Sequence, residues 1–334
     1  MNNPKVTVCI PAYNRPEFLR EALESLCDQG LNRDEYVVAI SNDASPVSLD
    51  EVVSCFEEKL RIVYRRNCTN IGHIANFDRS LSLAKTPYVS FLPDDDLVAP
   101  GQLGRALKIL ETHPQVVLVS SLIVTQRYPG GLESDIHGFF LKGTETTSYS
   151  RPYHWDKTEW LSLSLVNTPL SMIGSLLRRE TFHSCQLWKS YPLWHDRLML
   201  AEIALHGDVV SLPWIGGYNR LGEHQLNAQL AKTHSSEFRE TTEAILEMCR
   251  RSNIPVIDFW IEHICTSTLL ERVRFLRMLN RALPAPVYEE IKNKCERRLE
   301  TKLNLGWRLD RLGLPRLIVE LIRTCDRRFF QSSL

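Results

Sequence analysis

The chain has 334 residues, 43% of them hydrophobic and 24% charged, a soluble globular composition that excludes wholesale disorder. Its formal net charge is zero, which excludes a nucleic-acid binder working by bulk electrostatics, so no nucleic-acid partner is expected. Nine scattered cysteines without a C-x-x-C pair point to reduced thiols in a cytoplasmic protein; no secretory signal opens the chain, and its longest strongly apolar stretch, about Val116 to Val124, is far short of a membrane span.

Val6–Ile10 reads as a short β-branched strand, and Pro16 stands where a helix often begins. Phe18, Leu19, Ala22, Leu23 and Leu26 follow at helical spacing. Tyr36–Ser41 is the second predicted strand and Leu49–Phe56 the second helix. Arg61–Arg65 gives a third strand, and Ile74, Phe77, Leu81 and Ala84 mark a third helix. Tyr88–Leu92, a helix over Gly101–Thr112 and a buried strand over Val116–Val124 complete the series. This alternation predicts an α/β fold with a mostly parallel sheet covered on both faces. From Pro129 to roughly Asn167 the pattern fails, and the glycines there predict a long loop. Its aromatics, Tyr149, Tyr153, Trp155 and Trp160, suit an acceptor-facing flap. Order returns with Ser171–Leu177, a helix around Asp196–Leu205 and a strand over Val209–Leu212; from about Glu237 onward the sequence reads as helical.

Chemistry concentrates where Tyr88–Leu92 runs into Pro93 and three adjacent carboxylates, Asp94, Asp95 and Asp96. Like charges on neighbouring residues repel, so folding alone gives little reason to place them there. A divalent cation removes the repulsion, because hard carboxylate oxygens suit Mg²⁺ or Mn²⁺. The alternative is a solvated acidic turn capping the next helix. Open α/β sheets bind ligands at the carboxyl ends of their strands. Asn14, Asp43 and Asp94–Asp96 all follow strand ends, which gathers them into one candidate site.

Four segments recur in order at such ends: Val8-Cys-Ile-Pro-Ala-Tyr-Asn-Arg15, Ile40-Ser-Asn-Asp-Ala-Ser45, Arg66-Asn-Cys-Thr-Asn-Ile-Gly72 leading to Ala75-Asn76, and Phe91-Leu-Pro-Asp-Asp-Asp96. Together they resemble the family 2 glycosyltransferases of the GT-A fold, from Val6 to about Asn227. The resemblance implies a Rossmann-like GT-A domain over 1–230, with a nucleotide-sugar half (1–125) and an acceptor half (126–230). A C-terminal helical region over 237–334 follows. It implies a nucleotide-sugar donor, UDP by default, with the base near Pro11, Tyr13 and Asp43; Asn70, Gly72 and Asn76 belong to the same motifs. Each has a plainer role beside it: Tyr13 as a loop anchor, Asp43 as the start of an Asx turn through Ser45-Pro46, Gly72 as a residue needing positive φ, Asn76 as a bond to the next loop. In the acidic motif the resemblance implies ribose binding by Asp94 and metal ligation by Asp95, with Asp96 a second ligand or structural. Pro93 departs from the family, where another Asp is frequent.

The family's base lies in a Glu-Asp pair that opens a helix of the acceptor half. The matching segment is Leu193-Trp-His-Asp-Arg197, so Asp196 is the implied base, with His195 in place of the Glu. The plainer role for Asp196 is a carboxylate favoured at a helix N-terminus. Beyond it, Gly216-Gly-Tyr-Asn-Arg220-Leu-Gly-Glu-His224 resembles the family's closing loop, implying diphosphate contact by Arg220 and metal contact by His224. The activity implied is inverting, metal-dependent transfer of one sugar to a glycan or lipid-linked hydroxyl in surface-polysaccharide assembly. No Gln-x-x-Arg-Trp of the processive synthases occurs. A sugar nucleotidyltransferase is the enzymatic rival, and a catalytically silent scaffold the rival from another class.

Residues 301–334 carry seven basic against three acidic side chains, and Leu314, Leu317, Ile318, Leu321 and Ile322 form an apolar stripe. A basic amphipathic helix either lies on the inner face of an anionic membrane or packs its stripe on the catalytic domain.

Overall fold

The computed structural model describes residues 3–127, 131–137, 152–166, 172–221, 236–267 and 269–307. Strand and helix alternate as expected through β1 (Val6–Ala12), α1 (Pro16–Ser25), β2 (Tyr36–Asn42), α2 (Asp50–Ser54), β3 (Ile62–Arg66), α3 (His73–Ser82) and β4 (Tyr88–Phe91). A two-residue strand, β5 (Leu97–Val98), precedes α4 (Gln102–Thr112) and the long β6 (Val116–Arg127). The later half contains β7 (Gly131–His137), β8 (Tyr153–Trp155), α5 (Lys157–Ser164), β9 (Leu176–Arg178), α6 (Arg179–His183), α7 (His195–Ala204) and β10 (Asp208–Leu221). Four helices close the described chain: α8 (Glu237–Arg251), α9 (Val256–Thr266), α10 (Leu269–Ala282) and α11 (Ala285–Trp307).

One ten-stranded sheet runs in the order β3-β2-β1-β4-β9-β6-β10-β5, with β7 paired to β6 and β8 to β10. β3, β2, β1 and β4 are parallel, which sets their carboxyl ends side by side. β9 enters antiparallel between β4 and β6. Period-2 alternation sends the residues of β1 to opposite faces. Val6, Val8 and Ile10 pack against α1, α2 and α4, whereas Cys9 belongs to the core on the other face.

That second core departs from the sequence expectation. The 129–167 stretch is not wholly a loop: β7, β8 and α5 lie within it. Asp156 caps α5 through its side chain, accepting from the N–H groups of Thr158 and Glu159. The helix is buried on nearly every side, so it shows no amphipathic period. Trp155 and Trp160 are core residues rather than flap aromatics; their indole N–H groups donate to Ser211 Oγ and the Leu200 carbonyl. Tyr153 is half-buried beside Trp155, with its hydroxyl on Glu159, and Tyr149 lies outside the described residues.

The helical region shares this core. Trp260 of α9 is fully buried and donates to the Ser162 carbonyl of α5, while Leu279 and Cys295 extend the same cluster. Among the described residues no helix is long and apolar enough to cross a membrane. The stripe at Leu314–Ile322 lies outside them.

β10 reaches the site end of the sheet through a bulged stretch that presses close to its neighbours. A Cβ added at Gly216 would lie 2.4 Å from Ser121 Cβ, and one at Gly217 2.7 Å from the Leu97 carbonyl. Only a bare backbone fits there. Gly216→Ala is expected to cost about 1–3 kcal/mol through overpacking, read as a lower urea midpoint at unchanged m-value.

Candidate active site

A cavity of about 500 Å³ opens at the carboxyl ends of β1, β2, β3 and β4. On one side its wall includes Pro11, Tyr13, Asp43, Asn70, Asn76 and all of Asp94–Asp96. Asp196 faces them from the first turn of α7. Two strand-to-loop turns at the rim use left-handed backbone, at Asn14 (φ 56°) and Ala44 (φ 55°). Asn tolerates that region better than most residues.

Asp43 is buried, and its carboxylate holds the loop after β3. Oδ1 accepts from the Ile71 N–H at 2.8 Å and Asn67 Nδ2 at 3.0 Å, and Oδ2 accepts from the Gly72 N–H at 3.0 Å. A carboxylate has about four acceptor positions, so one direction remains for a ligand N–H. The Ser45 N–H donates to Asn42 Oδ1, three residues back, and not to Asp43. Gly72 has a φ of 85°, as its plainer role requires. Asn76 is a strut: its Oδ1 accepts from Ser41 Oγ, and its Nδ2 donates to the Ser41 carbonyl. Tyr13 is 44% exposed at the rim, and its backbone N–H donates to Asp94 Oδ2 at 2.8 Å.

The three carboxylates are held by different partners. Arg15 Nη1 donates to Asp94 Oδ1 at 3.2 Å and to Asp95 Oδ2 at 2.7 Å. The Arg220 backbone N–H donates to Asp96 Oδ1 at 2.9 Å. Asp94 and Asp96 are 5% exposed. Burial, then the neighbouring Asp95 charge, pushes Asp94 up to about 7, against the pull of Arg15. The same two causes raise Asp96 well above the usual carboxylate range. Arg15 pulls Asp94 down and Arg220 pulls Asp96 down, but neither offsets burial and the Asp95 charge.

Arg220, for which the resemblance implies diphosphate contact, is 2% exposed and is not among the described residues that line the cavity. Its guanidinium is buried behind the acidic turn, donating to the Asp95 carbonyl and to Glu21 and lying over the Phe18 ring. β10 aims alternate residues to opposite sides, and it is Asn219 that lines the cavity. His224 lies outside the described residues. Arg15 is the residue sequence reasoning missed; its signal was a lone cation directly after the β1 turn.

Across the cavity, Asp196 Oδ1 accepts from the Arg197 N–H at 2.7 Å, the one hydrogen bond of this carboxylate among the described residues. His195 donates through Nδ1 to the Pro192 carbonyl and packs edge-on against Phe77. His73 donates through Nε2 to the same carbonyl. Burial lowers the His195 pKa, with Asp196 opposing, so its imidazole is neutral near pH 7 and Nε2 is an acceptor.

The model of glycosyl transferase family 2 matches residues 7–183, more than half of the sequence. The chain belongs to this family. Among relatives, an abequosyltransferase of Salmonella typhimurium is 32% identical over 115 residues, 34% of this chain and 34% of that protein. An uncharacterized glycosyltransferase of Methanocaldococcus jannaschii is 26% identical over 125 residues, 37% of this chain and 43% of that one. This chain thus spans less than half the length of these curated relatives. Among solved structures, S. aureus TarS (residues 1–349) has a TM-score of 0.58 at 16% identity, covering 87% of this chain and 88% of that one. At such identity the likeness establishes the fold, which is GT-A: a mixed, mostly parallel sheet flanked by helices, with a helical C-terminal region.

The loop that Asp43 holds should loosen when one acceptor becomes a donor. Asp43→Asn is expected to speed hydrogen exchange at the Ile71 and Gly72 amides and to cost about 1–3 kcal/mol in urea unfolding.

Proposed function

We propose that this chain is an inverting glycosyltransferase that moves one sugar from a nucleotide-sugar, a UDP-sugar by first choice, to a hydroxyl acceptor in surface-glycan assembly. The observation that carries the reading is one cavity walled on one side by the acidic turn and on the other by Asp196. TarS has also been solved with UDP and with UDP-GlcNAc, and a Pyrobaculum calidifontis mannosyltransferase of similar fold with GDP-Man and Mn²⁺. The proposed division of labour is a nucleotide-sugar half over residues 1–125, an acceptor half over 126–230 and a helical region from 237.

Asp43 has an acceptor direction left for the N–H of a uracil, while Pro11 and Tyr13 flank the base. Asp94, beside Tyr13, suits a ribose hydroxyl. A divalent cation fits the chemistry of the acidic turn, where two carboxylates of raised pKa stand buried beside a third. Among the described residues no group of three His, Cys, Asp or Glu could hold an ion unaided. Mg²⁺ binds through one or two carboxylates and is completed by substrate phosphates. Asp95 and Asp96 would hold the ion, which when bound neutralises the departing diphosphate.

An alcohol is a poor nucleophile, and a carboxylate in hydrogen-bond reach removes its proton as the new bond forms. Asp196 takes that role. The acceptor oxygen bonds to the anomeric carbon, the carbon–phosphate-oxygen bond breaks, and the proton stays on Asp196. Attack from the side opposite the diphosphate inverts the anomeric carbon. His195 borders Asp196 as a neutral ring anchored on Pro192, so it adds no charge that would weaken the base.

The test is a panel of nucleotide-sugars assayed by thermal shift and by nucleotide release, each with Mn²⁺ and with EDTA. One UDP-sugar is expected to stabilise the wild type only with Mn²⁺, and not Asp95→Asn. Asp196→Asn is expected to bind that donor normally and to lose about 10²–10⁴-fold in turnover. No donor binding with or without metal would overturn the reading in favour of a silent relative.

A further inference from the structure

We infer that helix α8, the first of the helical region, positions the base Asp196 through two buried side chains, Glu237 on α8 and Arg197 beside the base. This rests on the assignment of Asp196 made above. Asp196 sits at the entrance of α7, whose N-cap residue Trp194 supplies no side-chain cap. The backbone there is ordered from outside. Glu237 Oε1 accepts from the N–H groups of Leu193 at 2.7 Å and Trp194 at 2.8 Å. The Trp194 ring packs on Phe238, the next residue of α8, at 4.9 Å between centroids.

Arg197 follows the base directly and is fully buried. It uses all five of its N–H donors. Nε and one Nη2 hydrogen go to the Ser164 and Leu165 carbonyls at the C-terminal end of α5. The rest go to the Phe238 carbonyl, Thr241 Oγ1 and Thr242 Oγ1 of α8. The guanidinium also stacks over the Phe238 ring at 4.1 Å. Asp196 is thus flanked by backbone tied to α8 at position 194 and a side chain tied to α8 at position 197.

These groups are poorly explained as glue. Glu237 is 4% exposed, and its Oε2 is buried without a hydrogen-bond partner among the described residues. Removing charges from water is costly, and an apolar pair would join the helices at least as well. What the polar pair supplies is direction: hydrogen bonds fix the α7 entrance to within tenths of an ångström, where apolar contacts tolerate sliding. A base 1 Å out of place costs about 10²-fold in rate.

The experiment uses the full chain carrying Glu237→Ala, Glu237→Gln and Asp196→Asn, alone and combined. Turnover is read as UDP release from UDP-glucose, UDP-galactose and UDP-N-acetylglucosamine, binding as the Kd for UDP with Mn²⁺. Glu237→Ala is expected to lower kcat about 10–100-fold with the UDP Kd unchanged within twofold. Glu237→Gln, which keeps the Oε1 acceptor, should restore most of the rate. In the Asp196→Asn background Glu237→Ala should add little, because the residue it orients is already disabled. Hydrogen exchange of the donor-free chain should rise at residues 193–197 in Glu237→Ala and stay unchanged along β1 and β2.

A folded Glu237→Ala with wild-type kcat would overturn the inference. So would parallel loss of UDP binding, or the same fractional loss with and without Asp196. Should Glu237→Ala not fold, Glu237→Asp shortens the arm by one methylene and is judged by the same criteria. A wild type that releases no UDP, or a fully active Asp196→Asn, strikes instead at the proposed function or its base. The exchange pattern at 193–197 then decides the α8 contact by itself, and an unchanged pattern sinks it.

Discussion

Crowding three carboxylates at the end of a buried strand is an unfavourable act of folding, and much of this molecule's architecture answers it. Asp94 and Asp96 lose solvation, and the Asp95 charge between them raises the cost of ionising both. Partial compensation arrives from two separate places in the sequence. Tyr13 and Arg15 come from the turn after β1, and the Arg220 backbone from β10, more than a hundred residues later. None of these groups reaches the turn unless the sheet is assembled in its native order. β4 must lie beside β1, and β10 must cross to pair with β5, so the acidic turn is stable only within the completed fold.

The same reasoning explains why β10 is so unlike the nucleotide-half strands. Its bulges and its glycines at 216 and 217 let the backbone pass close to β6 and the β5 edge. Its final residues are thereby delivered behind the triplet, where Arg220 braces the turn against Phe18 and Glu21. A guanidinium spent in this way is not available to a diphosphate. Its charge still acts on the site, since it lowers the cost of ionising Asp96. Support for a reactive carboxylate and contact with a substrate are distinct uses of one residue type, and geometry separates them.

Legibility in the sequence followed locality. β1 to β4 and their helices were readable because each strand is a short apolar run and each helix shows a 3.6-residue stripe. The gathering of Asp43 and Asp94–Asp96 at one cavity was readable because parallel strands place their loops at one end. α5 was not readable, being buried on nearly every side and therefore without a period. β5 has only two residues, and β9 is three residues inserted antiparallel, so neither carries a pattern. The burial of Arg220 behind the acidic turn was not readable, because a motif gives position along a strand and not the side to which the residue points. Arg15, Arg197 and Glu237 look like ordinary charged residues in sequence; burial and long-range partners alone distinguish them.

The two halves of the cavity are consequently stabilised in different ways. On one side the acidic turn is held by Tyr13 and Arg15 from the loop after β1 and by one strand crossing the sheet. On the other side α7 is embedded in a core to which α5 and the C-terminal helices contribute large aromatic side chains, Trp160 and Trp260 among them. Fully burying such a ring is worth at least about 2–3 kcal/mol. The helices beyond Glu237 therefore help to stabilise the element that carries Asp196. Asp196 is placed by bulk packing plus a few oriented hydrogen bonds, whereas the acidic turn is placed by charge balance and by the close passage of β10.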